Sequence, residues 1–195
     1  MKLRSTAPLI ALLALGGCIA PTGPVQVTRF HAADVAPLGR GSIAVEPAAG
    51  MDGNSLELRS FEAAVARQLQ VIGYTNVANG GEQVALVKLS RSTYRPARLR
   101  GPVSVGVGGS TGSYGSGVGL GIGIDLSGPP PEQVDTELAV TIKDRKSAAV
   151  LWEGRAAFTV RSSSPLADTQ LGAAKLAEAL FKGFPGNSGE TIEVK

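Results

Sequence analysis

Apolar and polar positions alternate in several short runs of the chain, and each run predicts a strand. Val25 and Val27, followed by Phe30, alternate with polar residues and predict a first strand. Residues 42–46 read as a second, ended by Pro47. In residues 84–92, Ala85, Val87 and Leu89 share one face. The strongest runs are 134–142 and 151–160. Val134, Thr136, Leu138, Val140 and Ile142 share a face in the first; Trp152, Ala156, Phe158 and Val160 do so in the second, with Gly154 between them. The link between these two runs, residues 143–147, is short and polar, so they predict an antiparallel hairpin. Residues 191–194 add a last edge strand.

Two segments switch to helical spacing. In residues 55–72, Leu58, Phe61, Val65, Leu69 and Ile72 fall on one stripe. Asn54 is placed to cap this helix with Glu57 three residues on, and Gly73 is placed to close it in the left-handed conformation. A second helix is expected from Pro165, capped by Ser164, with Asp168 favourable at its positive end. Leu171, Ala174, Ala177, Phe181 and Phe184 make its stripe, and Gly183 and Pro185 stop it. The expected fold is α+β: a mostly antiparallel sheet with two amphipathic helices packed on one face and a glycine-rich β-hairpin insertion.

That insertion covers residues 101–128 and holds 11 of the 26 glycines, with no charge between Gly101 and Ile124. Val103, Val105 and Val107 alternate with small residues before a tip at 110–115. Val118, Leu120, Ile122 and Ile124 alternate with glycine after it. Period two with branched residues predicts a hairpin with one nearly bare face, and bare strands mark close approach by another backbone or a ligand. Four readings stand. Gly106-Val107-Gly108 opens no helix and precedes no phosphate-binding lysine, which speaks against a nucleotide site. Gly115, Gly119 and Gly123 have the spacing of membrane helix packing, but the aliphatic residues alternate instead of lining a helical face. A hairpin available for partner contact, self-association or membrane insertion, and an insertion without a role of its own, both remain.

Just before it, Arg91, Arg95, Arg98 and Arg100 surround Tyr94. They suit anionic lipid head groups, or equally a solvated strand end that discourages edge-to-edge pairing. Tyr94, Arg95, Arg98, Arg100 and the tip residue Tyr114 are the candidate partner contacts.

The first residues change the setting. Lys2 and Arg4 precede an uncharged run from Ala7 to Leu15, then Gly16 and Gly17 lead to Cys18, the only cysteine. A cationic head, a short apolar core and small residues before a cut are the marks of a secretory signal, and the run is far below the roughly 20 residues of a spanning helix. Leu15-Gly16-Gly17-Cys18 resembles the lipobox of bacterial lipoproteins. The resemblance implies cleavage between Gly17 and Cys18 and lipid on Cys18, fatty acyl groups such as palmitate included. It also implies outer-membrane sorting, because no aspartate follows the cysteine, with the domain facing the periplasm. The expected organisation is a signal in 1–17, a lipidated tether in 18–24 and one domain in 25–195.

Loss of 1–17 removes two basic residues and no acid, so 17 Lys and Arg remain against 16 Asp and Glu in 178 residues. A net charge near +1 argues against nucleic acid as a partner. One cysteine allows no internal disulfide, and with one histidine, His31, it cannot supply a zinc site, so no metal or cofactor is expected. A Ser-His-Asp hydrolase would have to use His31, and no GxSxG elbow is expected to accompany any serine. The carboxylates are scattered. A non-enzymatic binding or structural module is therefore the leading expectation, with insertion or oligomerisation of the hairpin as an alternative, and a hydrolase using His31 or carboxylates as another.

The order of these features resembles the bacterial lipoprotein family DUF4136. The lipobox, the helix ending Leu69-Gln70-Val71-Ile72-Gly73-Tyr74, the glycine-rich insertion, Leu151-Trp152-Glu153-Gly154 and the final helix running into Phe184-Pro185 carry it over about residues 25–186. The family implies no established activity.

Overall fold

The computed structural model describes residues 23–97, 103–112, 115–124 and 128–195. Seven strands form one mixed sheet: β1 (Val25–His31), β2 (Ser42–Pro47), β3 (Thr75–Asn76), β4 (Gln83–Tyr94), β7 (Gln133–Asp144), β8 (Val150–Arg161) and β9 (Thr191–Val194), in the order β3-β2-β4-β7-β8-β1-β9. Strands β5 (Val103–Gly112) and β6 (Gly115–Ile124) form a separate two-stranded sheet. Helices α1 (Leu56–Val71) and α2 (Thr169–Phe181) both contribute to the single core cluster on one face of the large sheet.

Most of the sheet is antiparallel, as expected from its polar connections. The exception is β2, which pairs in parallel with β4 and with the short β3. Helix α1 supplies the crossover that a parallel pair requires. On the inner face the rungs run Ala85–Ile142–Trp152, then Val87–Val140–Gly154–Arg29, then Leu89–Leu138–Ala156–Val27. The hairpin β7–β8 pairs from Gln133–Arg161 to Lys143–Val150, with a bulge at Leu151 near the turn and the expected alternation along β7. In β1 the face differs from the expectation. Phe30 points outward and is 52% exposed, whereas Arg29 is buried with Val25 and Val27. Strict period two decides this, because Phe30 has the wrong parity.

Helix α1 buries Leu58, Phe61, Ala64, Val65 and Leu69. Its cap is Ser55, not Asn54: the Ser55 hydroxyl accepts from the Leu58 N–H at 3.2 Å. Gly73 closes it at φ +113, with the Tyr74 N–H donating to Leu69 and the Gly73 N–H to Gln70. In α2 the expected stripe is displaced. Pro165–Ala167 form a separate turn capped by Ser164, and the chain is extended at Asp168, whose carboxylate caps the helix proper through the Gln170 and Leu171 N–H groups. The helix restarts in a new phase that buries Ala173, Leu176, Ala177, Leu180 and Phe181, leaving Leu171 52% exposed. Gly172 allows that phase, since a Cβ there would lie 2.8 Å from the Leu166 carbonyl oxygen.

Trp152 organises the centre. Its ring stacks on Phe181 with centroids 5.4 Å apart, meets Phe184 at 5.2 Å, and its Nε1 donates to the Pro185 carbonyl at 3.0 Å. The indole and Leu180 both lie over Gly154, where a Cβ would come within 2.9 Å of Leu180. Nearby, Arg29 Nη2 donates to the Ala179 carbonyl at 3.0 Å, near the negative end of α2, while its Nε has no partner among the described residues. Burial lowers the Arg29 pKa, and Glu190 opposes that shift.

Replacement of Gly154 by Val forces a branched side chain into Trp152 and Leu180, and is expected to lower the unfolding free energy by about 2 kcal/mol in urea denaturation; an unchanged midpoint would refute the packing described. Glu62 on α1 offers a pH test. Burial raises its pKa against the pull of Arg59, and its Oε1 has no partner among the described residues. The folded-state pKa thus lies above the unfolded one. The resulting destabilisation is absent below the ordinary carboxylate range, grows as pH rises through the raised value, and is complete at neutral pH. Glu62→Gln should stabilise the protein at neutral pH and lose that advantage in acid, as read from urea midpoints at the two pH values.

Candidate functional site

The two ends of the large sheet differ in what they carry. Strand β4 runs out at Tyr94, whose register partner Gln133 begins β7. Both connections to the β5–β6 ribbon therefore leave from one end. Strand β1 begins at that same end, since Gln26 pairs with Ala157 while His31 pairs with Trp152 near the other. The final strand returns there too, with Val194 opposite Val25.

Arg91 pins both helices at this end. It has inward parity on β4, on the rung with Thr136, and lies under the first turns of α1 and α2. Its Nη1 meets Glu57 Oε1 at 2.6 Å and Thr169 Oγ1 at 2.9 Å, and its Nη2 donates to the Ala167 carbonyl. Thr169 also donates to Glu57 at 3.3 Å. Arg91 is thus committed to the fold and drops out of the arginine group read from the sequence. Tyr94 is 45% exposed and its hydroxyl donates to Gln133 at 3.1 Å. Arg95 is exposed just beyond it. Gly17, Cys18, Arg98, Arg100 and Tyr114 lie outside the described residues.

The ribbon pairs in strict antiparallel register. Val103, Val105, Val107 and Gly109 stand opposite Ile124, Ile122, Leu120 and Val118. At the alternate positions Ser104, Gly106, Gly108, Ser110 and Gly112 stand opposite Gly123, Gly121, Gly119, Gly117 and Gly115. Cross-strand partners share a face, so the register sorts every aliphatic position of the two strands to one side and leaves only glycine and serine positions on the other. Contrary to the expectation that no serine has GxSxG spacing, Gly108-Gly109-Ser110-Thr111-Gly112 has it, but the string lies wholly within β5 and is followed by another strand. It is therefore not a strand-to-helix nucleophile elbow.

At the opposite end, an open cleft of about 420 Å³ is lined by Pro37, Arg40, Gly41, Glu82, Gln83, Asp144 and Lys146. Two of its polar side chains, Gln83 and Asp144, are held by neighbouring groups. Gln83 is buried, accepts from the Tyr74 hydroxyl at 3.0 Å and donates to the Pro37 carbonyl at 2.9 Å. Burial raises the Tyr74 pKa, and a backbone hydrogen bond at Gly39 opposes it. The Ser147 hydroxyl and N–H hold the Asp144 carboxyl below its ordinary range.

His31 closes β1, with Nδ1 2.7 Å from the Ala32 carbonyl oxygen. Its ring has no carboxylate partner among the described residues, so the arrangement of a Ser-His-Asp site is not assembled there. Among the described residues no three His, Cys, Asp or Glu side chains gather closely enough to hold a metal ion, and no helix is long and apolar enough to cross a membrane.

Sequence reasoning passed over Arg29 and read Arg91 as one of an exposed arginine group, yet both are held on the inner face. Their parity was the available signal, because each continues an inward apolar series, Val25–Val27 and Ala85–Val87–Leu89.

Comparison with known proteins agrees with the resemblance read from the sequence. The model of the family described as "Domain of unknown function (DUF4136)" matches residues 35–186. An uncharacterized protein of Zymomonas mobilis is 29% identical over 217 aligned residues, which cover 89% of this chain and 81% of that protein. Among solved structures, a PDZ domain protein from Parabacteroides distasonis is similar at a TM-score of 0.47 and 11% identity. The match covers 88% of this chain but only 39% of that one. A PelC dodecamer from Paraburkholderia phytofirmans is similar at a TM-score of 0.45 and 14% identity, over 84% of this chain and 99% of that one. Likenesses at this level carry no argument about function.

Arg91→Met retains the aliphatic stem but removes the donors shared by Glu57, Thr169 and Ala167. It is expected to lower the unfolding free energy by about 2 kcal/mol, and a double-mutant cycle with Glu57→Gln should show coupling of about 0.5 kcal/mol or more. Additive effects would mean that the ion pair contributes nothing.

Proposed function

We propose that this chain, which belongs to the DUF4136 family, is a lipid-anchored, non-enzymatic binding module of the bacterial cell envelope. Cys18 carries the lipid, and the domain faces the periplasm from the outer membrane. The glycine-rich ribbon is its contact surface, with Tyr94, Arg95, Arg98, Arg100 and Tyr114 around it.

The signal and lipobox pattern of residues 1–18 motivates the anchor. Two or more acyl chains hold a protein stably where one does not, at about 0.8 kcal/mol per buried methylene. The observation that most favours the ribbon as contact surface is its exit from the same sheet end at which β1 begins. Val25 lies seven positions after Cys18, a reach of at most about 25 Å when extended. A lipid on Cys18 would hold that end, and not the cleft between β2 and β7, beside the membrane.

Mass spectrometry of the chain purified from envelopes checks the anchor. The N-terminal peptide should start at Cys18 and carry diacylglyceryl and acyl groups; a free thiol on an uncut chain would contradict it. Deletion of residues 102–124 checks the contact surface. The remaining domain should fold and stay anchored but lose its crosslinked envelope partners, whereas unchanged crosslinking would exclude the ribbon.

A further inference from the structure

The ribbon has four properties that a contact loop does not need. Each strand is ten residues long. At about 3.4 Å per residue that is roughly 34 Å of strand, within the range of about 9–11 residues that crosses a bilayer at a tilt. No residue from Gly101 to Ile124 is charged. The register puts aliphatic positions on one face and only Gly and Ser on the other, the two-faced alternation of strands that meet lipid on one side and a polar lumen on the other. Finally, the two strands pair only with each other in a sheet of their own, so neither outer edge joins the seven-stranded sheet.

Open edges decide what the partner must be. Inside a bilayer, each backbone N–H and C=O needs a partner, and strands achieve that only by closing into a barrel. Two strands cannot close. The missing strands must have the same length, the same lack of charge and the same alternation, and a second copy of the ribbon has all three. A soluble protein partner would leave the aliphatic face without a reason to match the thickness of a membrane.

We propose that the β5–β6 ribbon inserts into the membrane and pairs edge to edge with the ribbons of further copies of this chain, closing an oligomeric transmembrane β-barrel. The aliphatic face meets lipid and the glycine and serine face lines the lumen. This rests on the lipid-anchored reading and deepens it, since it names the ribbon's partners as other copies of the chain. Each copy adds two strands, so the barrel has an even number. The Cys18 lipid holds the copies in one plane with their ribbon ends at the bilayer, which raises their effective concentration for pairing.

The test uses the full chain, exported and lipidated in a Gram-negative host, then reconstituted into vesicles of phosphatidylethanolamine and phosphatidylglycerol loaded with a small dye. The expected results are a membrane-bound, detergent-resistant oligomer and leakage of the dye. Leu120→Arg puts a charge on the lipid face and should reduce oligomer and leakage about 30-fold, the equivalent of a cost near 2 kcal/mol for a lipid-facing arginine. Gly121→Arg, one residue on and facing the lumen, should keep the oligomer and shift the leak toward anions. Circular dichroism confirms that both variants retain the domain. Wild-type chains that stay on the vesicles as monomers without leakage would overturn the inference while leaving the lipid anchor standing. Chains that wash off would overturn both, and equal loss in the two variants would overturn the assignment of the faces.

Discussion

The close seating of α2 on the sheet depends on the missing side chain at Gly154. Because no Cβ stands there, the Trp152 indole and Leu180 both occupy the space above that residue, and Trp152 stacks against Phe181 and Phe184. Packing at this density tolerates little added volume. The contact fixes the C-terminal half of α2 over β8, and Arg29 holds the same turn through the Ala179 carbonyl. At the other end of both helices Arg91 joins Glu57, Thr169 and Ala167. Two arginines on the inner face, one toward each end, therefore set where the helices sit, while the apolar residues between them supply most of the burial.

Strand parity carried much of this fold in the sequence. Residues 134–142 and 151–160 alternate so strictly that their hairpin and inner face follow directly, and the Leu58–Leu69 stripe and Gly73 define α1 and its end. The rest needed tertiary information. Phe30 was read by its hydrophobicity and Arg29 by its charge, yet backbone parity put the phenylalanine outside and the arginine inside. The α2 stripe was displaced because Asp168 interrupts the chain after Pro165–Ala167, and no periodicity reveals a break that restarts the helix in a different phase. The parallel pairing of β2 with β4 arises from the crossover through α1, which strand patterns alone do not encode. At the candidate site, the alternation of residues 103–124 was legible, but its register and its exit beside the start of β1 were not. Those depend on which strands are neighbours.

A consistent division of labour results. The end of the sheet that carries Arg40, Glu82, Asp144 and Lys146 is charged and holds the open cleft. The end that carries Arg91 gathers the start of β1, both helix N-termini and the base of the uncharged ribbon. Lipid on Cys18, as proposed, would lay that second end against the membrane and give the two-faced ribbon access to a bilayer.

The most direct measurement is a cysteine scan along residues 103–124 with an environment-sensitive fluorophore, in the lipidated chain on vesicles. Cys18 is the only native cysteine, and lipid on it leaves each introduced thiol as the sole site of labelling. Membrane insertion predicts apolar emission at 103, 105, 107, 118, 120, 122 and 124, and polar emission at 104, 106, 119, 121 and 123. Polar emission throughout, or a signal without the period of two, would contradict it.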